Sequence, residues 1–402
     1  MRQKPTRENR LARIAVSALF LTNGAIFANL IPRFPEIKSQ LALSNAEYGL
    51  AIASFPIGAL LAGLFAAVLI RKFRSSRVAV LGTILTSLGV LAAGLAPSGL
   101  TFAAALFCAG ALDAITDVAQ NHHGLRVQRR YGRSILNSFH AVWSIGALAG
   151  GLMAAGAIAL GVPISLHLLI SAVLFATVSV IVYRGLLPGP ERDVEPDPQT
   201  AIADVTDTAA SRPKVRARSL VLAALALVAI GGTIVEDAGS TWASVYLGRD
   251  LGAAPAVAAF GFIALVGAQF IGRLLGDGLV DRFGQRLIAR LGGLLVFLGM
   301  GTALAFPSVG GTITGFALAG FGVATLVPAA MDAADRLPGL RPGTGLTLVS
   351  WLLRLGFLVS PPLVGLVADT IGLRYGLLIV PFAGILVVVL AGVLSKERSS
   401  AS

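Results

Sequence analysis

Apolar residues run along this chain in long blocks, with the polar positions gathered between blocks instead of alternating within them. Twelve blocks stand out, at roughly 14–31, 46–70, 78–96, 100–122, 135–160, 163–184, 219–246, 254–280, 287–306, 309–331, 344–368 and 372–394. A helix rises 1.5 Å per residue, so about 20 mainly apolar residues cross a hydrocarbon layer roughly 30 Å thick. The blocks therefore predict an all-α membrane protein with twelve transmembrane helices. One interval departs from the pattern. From Pro188 to Arg218 the chain carries Pro188, Pro190, Pro196, Pro198 and Pro213, with acids at Glu191, Asp193, Glu195, Asp197, Asp204 and Asp207. This reads as a polar linker over 186–218. It separates an N-terminal six-helix bundle, 1–185, from a C-terminal one, 219–402.

Composition agrees. The chain is 55% hydrophobic and 13% charged, against about 25% charged in soluble domains. Too little charge is present to cover a water-facing surface. The net charge of +12 would suggest nucleic acid for a soluble protein, but its placement gives another meaning. With the N-terminus inside, 26 of the 32 Arg and Lys residues fall in cytoplasmic segments, and Arg33, Lys38, Arg249 and Arg374 fall in external loops. That bias predicts an inner-membrane protein with both termini cytoplasmic, and removes the case for nucleic acid. The basic stretch Arg2–Arg13 leads into the first span, so the first apolar block is expected to be a helix and not a cleaved leader.

Other function classes are disfavoured. The single cysteine, Cys108, excludes an intrachain disulfide and reads as a small buried hydrophobe. No G-x-x-x-x-G-K-[ST] run is present, so direct ATP drive is not expected. No His/Cys cluster has metal spacing, so no metal or cofactor is expected. No nucleophile–base set suggests an enzyme.

The halves echo each other. Arg71-Lys72-Phe73-Arg74-Ser75-Ser76-Arg77 lies between the second and third blocks, and Asp281-Arg282-Phe283-Gly284-Gln285-Arg286 between the eighth and ninth. Placing Phe73 on Phe283 brings the ends of blocks six and twelve nearly into register, which implies two parallel six-helix repeats. Gly272-Arg273-Leu274-Leu275-Gly276-Asp277, followed by Asp281-Arg282-Phe283-Gly284 and Arg286, resembles the loop motif of the major facilitator superfamily. The first-half copy departs from it, with Arg71 at the acidic position and Arg74 at the glycine position. A narrower set resembles a bacterial branch grouped with the L-fucose permease. It comprises Asn23-Gly24, Pro32 to Ile37, Asp117 to Asn121, Phe139-His140, Glu236-Asp237-Ala238 and Gly365 to Asp369. The resemblance implies the major facilitator fold of two pseudo-symmetric bundles and a proton-coupled mechanism.

Ionisable groups within a span are costly and mark function by default. Asp113 lies about 18 Å along the fourth span. Asp117 and Asn121 follow it at successive four-residue steps, on one helix face. Arg354 sits near the middle of the eleventh span and needs an anion, either the substrate or a carboxylate from another helix, for which Asp113 and Asp117 are the candidates at the same depth. Glu236 follows Gly231-Gly232, which are expected to break the seventh span, while Asp237 is expected outside and solvated. Trp242 and Tyr246 fit an interfacial aromatic belt, with a lid as the alternative for Trp242. His140 has the ordinary pKa of a proton relay. Proton coupling is thus assigned to Asp113, Asp117, Glu236 and His140. Substrate binding is assigned to Asn23, Asn121, Trp143, Gln269 and Arg354. Each assignment competes with a structural alternative: a solvated mouth for Asp117, a packed histidine for His140, helix packing for Trp143. For His122 and His123 the structural role is preferred. Arg273, Asp277, Asp281 and Arg282, at the inner end of the eighth span, are expected to form gating charge pairs. Asp332 and Asp335 are expected to meet Arg336 or Arg341, or to be solvated.

These expectations converge on a monomeric secondary transporter, with lipid, protons and a small polar solute such as a sugar as its partners. A proton antiporter exporting drugs or metabolites, and a non-transporting membrane receptor, are the alternatives.

Overall fold

The protein is described here from a computed structural model covering residues 6–132, 135–189, 212–338, 340 and 344–394. Its helices supply twelve segments long and apolar enough to cross a membrane. In chain order these spans are Arg7–Gln40, Asn45–Gly63, Ser75–Gly94, Gly99–Tyr131, Ser138–Ala159, Ile164–Tyr183, Arg218–Asp250, Pro255–Phe283, Gln285–Ala305, Val309–Asp335, Thr344–Ile371 and Leu373–Val393. Large apolar side chains such as Leu64, Leu100, Ile181, Phe382 and Val389 are exposed on the outside of the bundle, as a lipid-facing surface requires. Most of the linker expected over 186–218 lies outside the described residues, and its last stretch is helical instead, because the helix of span 7 begins at Arg212.

The two halves are built alike. The register that places Phe73 on Phe283 also places Gly110 on Gly320 and Phe55 on Leu265. A Cβ on Gly110 would stand 2.1 Å from the Phe55 carbonyl oxygen, and one on Gly320 would stand 2.0 Å from that of Leu265. Both contacts are backbone against backbone, and only glycine allows the helices so close. The same register aligns Gly284, at φ 84° and ψ 151°, with Arg74, at φ 74° and ψ 143°. The first-half loop has lost its glycine and kept the left-handed backbone that glycine favours.

Across the halves, span 2 packs on span 11 and span 5 on span 8. The register shift exchanges these two pairings, so one seam is the symmetry mate of the other. The start of span 1, at Arg7, and the end of span 12, at Val393, lie on one face, the terminal face. There Arg130 pairs with Glu8 at 2.8 Å, Arg286 Nε donates to the Leu394 carbonyl at 2.9 Å, and Arg336 pairs with Asp332 at 2.7 Å. Arg341 lies outside the described residues. His123 is fully buried between Ser75 and the Leu187 amide, in the structural role preferred for it.

Several expectations change. Arg33 and Lys38 are not loop residues. A 3-10 turn at Ile31–Arg33 and a helix at Phe34–Gln40 extend span 1, each opening with a proline that presets the helical φ. Both cations are buried, at 4% and 2% exposure. Arg33 is held by Glu36 at 2.8 Å and the Val162 carbonyl at 2.7 Å, and Lys38 by the Leu43 carbonyl at 2.8 Å. Gly231 and Gly232 do not break span 7, since one helix runs over Arg212–Val245. They seat Val387 and Val327 instead. Trp242 and Tyr246 are buried, Trp242 against Tyr48 of the other half, and neither belongs to an interfacial belt. Cys108 is exposed on the outer side of span 4.

Arg74 occupies backbone space that disfavours any side chain, at a cost of order 1–3 kcal/mol. Arg74→Gly is expected to raise the apparent thermal midpoint of the detergent-solubilised protein, corresponding to about 1 kcal/mol after the glycine entropy penalty. Gly284→Arg is expected to lower it. Paired thermal unfolding curves measure both.

Candidate functional site

A cavity of about 610 Å³ lies between the halves. Spans 1, 4 and 5 contribute Asn23, Asp113, Asp117, His140 and Trp143 to its wall. Spans 7, 8 and 11 contribute Glu236, Asp237, Gln269, Arg273 and Arg354. The candidates scattered along the sequence therefore meet around one space, as intramembrane charge demands. Asn121 lies outside the lining and holds Asp117 from the next turn. Asp277, Asp281 and Arg282 lie beyond the cavity, exposed at the terminal face.

Each carboxylate has a neutral donor. Asn23 Nδ2 donates to Asp113 Oδ1 at 2.8 Å, and Asn23 Oδ1 accepts from Trp143 Nε1 at 2.8 Å. This chain ties spans 5, 1 and 4 together and commits the Trp143 N–H. Asn121 Nδ2 donates to Asp117 Oδ1 at 2.9 Å, Gln269 Nε2 to Glu236 Oε2 at 3.0 Å, and Thr241 Oγ1 to Asp237 Oδ1 at 3.2 Å. Asp237 was expected in solvent. It is 6% exposed instead, with the Ser360 hydroxyl beside it as well as that of Thr241. The unbroken helix carries it beside Glu236 into the cavity wall. A hydroxyl one turn ahead, at Thr241, was the sequence signal for a held carboxylate.

The arginines lack the partners expected for them. Arg354 makes no hydrogen bond or ion pair within 4 Å among the described residues, and so does not pair with Asp113 or Asp117. It lies across the cavity in the other half, within coulombic reach of Asp117. Arg273 makes one long contact, Nη1 to Ser144 Oγ at 3.5 Å, across the seam between spans 8 and 5. Asp277, Asp281 and Arg282 form no ion pair among the described residues, so the expected gating pairs are not made in this conformation.

Span 11 has its own irregularity. Leu353 joins Thr344–Leu352 to Arg354–Ile371 with helical backbone, and a tightened turn follows it, the Gly356 amide donating to the Leu353 carbonyl at 3.0 Å. The Leu353 carbonyl accepts from Thr233 Oγ1 at 3.0 Å. Pro361 and Pro362 lack the amides that would serve the carbonyls of Phe357 and Leu358, and Phe357 lines the cavity. The remaining wall is aromatic. Phe27 and Phe55 pack with ring centroids 4.3 Å apart, and Phe34, Phe262 and Phe357 add to them. The chain is only 7% aromatic, and the low total hid this concentration.

The end of the cavity opposite the terminal face is shut. Tyr48 Oη donates to the Thr241 carbonyl at 2.8 Å, and the Tyr48 and Trp242 rings meet edge to face at 5.0 Å. Beyond them, Asp369 of span 11 accepts from the amides of Asn45 and Ala46 at 2.9 and 2.8 Å. A carboxylate of one half thus caps the first turn of a helix in the other. Toward the terminal face, Asp117, His140, Arg273 and Arg354 are exposed along the cavity.

The chain matches the Major Facilitator Superfamily over residues 16–277 and again over 225–402. It belongs to that superfamily. It is 29% identical to the membrane protein MosC of Rhizobium meliloti, over 97% of this chain and 92% of that one. It is 25% identical to an uncharacterised transporter of this type in Yersinia pestis, over 89% and 88%. Among solved structures it resembles a bacterial homologue of the human lysosomal transporter Spinster in an inward-facing, unoccupied conformation. That match has a TM-score of 0.74 and 14% identity, over 99% of this chain and 100% of that one. The nucleoside transporter NupG gives 0.73 and 11%, over 96% and 99%. At these identities the structures speak for the fold. The chain is thus a multi-pass membrane transporter of the major facilitator class, which is not enzymatic.

Asp369→Ala should loosen the closed end. It removes two charge-assisted hydrogen bonds, each worth about 1.5–3 kcal/mol when well shielded and less at this exposed position. Spin labels at positions 43 and 370, in a Cys108→Ser background, should show a larger population at long separation. An unchanged distance distribution would remove Asp369 from the closure.

Proposed function

We propose that this protein is a proton-coupled secondary transporter that moves a small polar solute, a sugar among the candidates, by alternating access. The observation that carries the reading is the setting of Asp113. It faces the shared cavity and is held by the neutral amide of Asn23, not by a cation. A carboxylate in an ion pair resists protonation because the pairing favours its charged form. One held by an amide can gain or lose a proton while the amide remains in place. Asp117 on Asn121 and Glu236 on Gln269 share this arrangement and are further coupling sites, with His140 as a relay near Asp117.

The basic bias of the segments at the terminal face supports placing that face in the cytoplasm. On that orientation this conformation is inward-open: Asp369, Tyr48 and Trp242 close the outer end, and Arg273, Asp277, Asp281 and Arg282 stand apart at the inner end. Rocking the halves about the seams of spans 2 with 11 and 5 with 8 would exchange the two closures.

A second reading, proton antiport of an amphipathic solute outward, is favoured by the aromatic wall of Phe27, Phe55, Phe262 and Phe357. The direction of proton movement separates the two. Proteoliposomes loaded with the pH dye pyranine should acidify when an imported solute is added outside, and alkalinise when an exported one is. Screening with hexoses, polyols, sugar acids and lipophilic amines covers both readings. Asp113→Asn should abolish proton-driven accumulation and preserve solute exchange at equal pH. Undiminished accumulation would take Asp113 out of the coupling, and no proton-linked flux of any compound would sink the transport mechanism proposed here.

A further inference from the structure

The charges around the cavity are sorted in an unusual way. All four carboxylates are held by uncharged donors: Asp113 by Asn23, Asp117 by Asn121, Glu236 by Gln269, and Asp237 by Thr241. The two arginines that line the same space are held by no carboxylate. Arg354 has no hydrogen bond or ion pair among the described residues, and Arg273 has only the long contact to the Ser144 hydroxyl. Opposite charges at matching depth in a membrane span are expected to pair, yet here the open cavity keeps them apart. A guanidinium cannot neutralise itself by losing its proton. An arginine left open to a cavity at this depth is therefore set to meet an anion brought from outside.

We propose that the transported solute bears an anionic group, a carboxylate or a phosphate, that docks on Arg354 with Arg273 as a second donor. This rests on the transport reading above and narrows its solute from small and polar to small and anionic. The planar guanidinium fork fits both oxyanions. The body of the solute then lies against Phe27, Phe55 and Trp143 in the other half, so a bound molecule bridges the two halves. The held carboxylates supply what an anionic cargo lacks, a group able to carry a proton beside it.

The test uses the full chain in detergent micelles and matched pairs of compounds differing only in charge: a hexuronate against the hexose, a hexose phosphate against the hexose, and aromatic and aliphatic carboxylates against their amides. The readouts are thermal stability and quenching of tryptophan fluorescence. At least one anion is expected to bind about 10- to 100-fold more tightly than its neutral counterpart, the value of a charge-assisted hydrogen bond. Which pair responds tells carboxylate from phosphate. Arg354→Gln should erase the difference, Arg354→Lys should keep part of it, and both should match the parent protein's unliganded thermal midpoint. The proposal is overturned if no anion binds, if neutral partners bind equally, or if the preference survives Arg354→Gln combined with Arg273→Gln. Flux in proteoliposomes is measured alongside. A neutral solute that crosses with protons while no anion binds sinks the anionic cargo alone. An anion that binds through Arg354 but never crosses sinks the transport reading and leaves the anion site.

Discussion

Hydrocarbon gives no hydrogen bonds and little dielectric relief, so an ionised group at membrane depth must turn toward other protein groups or toward water. That constraint organises this molecule. Asp113, Asp117, Glu236, Asp237, Arg273 and Arg354 come from spans 4, 7, 8 and 11, and all face one cavity between the halves. The outer surfaces of the same helices carry exposed leucine, isoleucine and phenylalanine. A cavity is then the space left where polar faces of two bundles meet and cannot be filled by apolar packing.

The pseudo-symmetry explains how such a cavity can change access. Spans 2 and 11 form one seam, spans 5 and 8 its mate. In this conformation the first is locked at one end by Asp369 on the amides of Asn45 and Ala46. The counterpart charges at the other end, around Arg273 and Asp277, are unpaired with one another. Closing one end and opening the other is the motion that two stiff bundles sharing two seams permit. The stiffness comes from backbone contacts such as Gly110 on Phe55 and Gly320 on Leu265, which leave no room for sliding.

The conserved register between halves also shows how much sequence can drift while geometry is kept. Arg74 has the backbone of Gly284 without being glycine. The loop that turns from span 2 into span 3 must reverse direction in a few residues, and that requirement outlasts the residue best suited to it.

Much of this was legible in the sequence, because it follows from local composition. Block length and apolarity determine the number of spans, and the rarity of charge inside them marks Asp113, Glu236 and Arg354 as groups that must face inward. Repeat spacing determines the two halves. What the sequence could not express is which inward-facing groups touch. Arg354 and the span 4 carboxylates sit at matching depth, yet an open cavity between the halves keeps them apart, while Asn23, ninety residues away along the chain, is the group that reaches Asp113. Asp237, Trp242 and the cations Arg33 and Lys38 are polar by type and buried by place, since the closed end of the bundle folds over them. Depth along a helix is a one-dimensional quantity that spacing can supply; partnership depends on how two bundles lean against each other, and only the packed structure decides that.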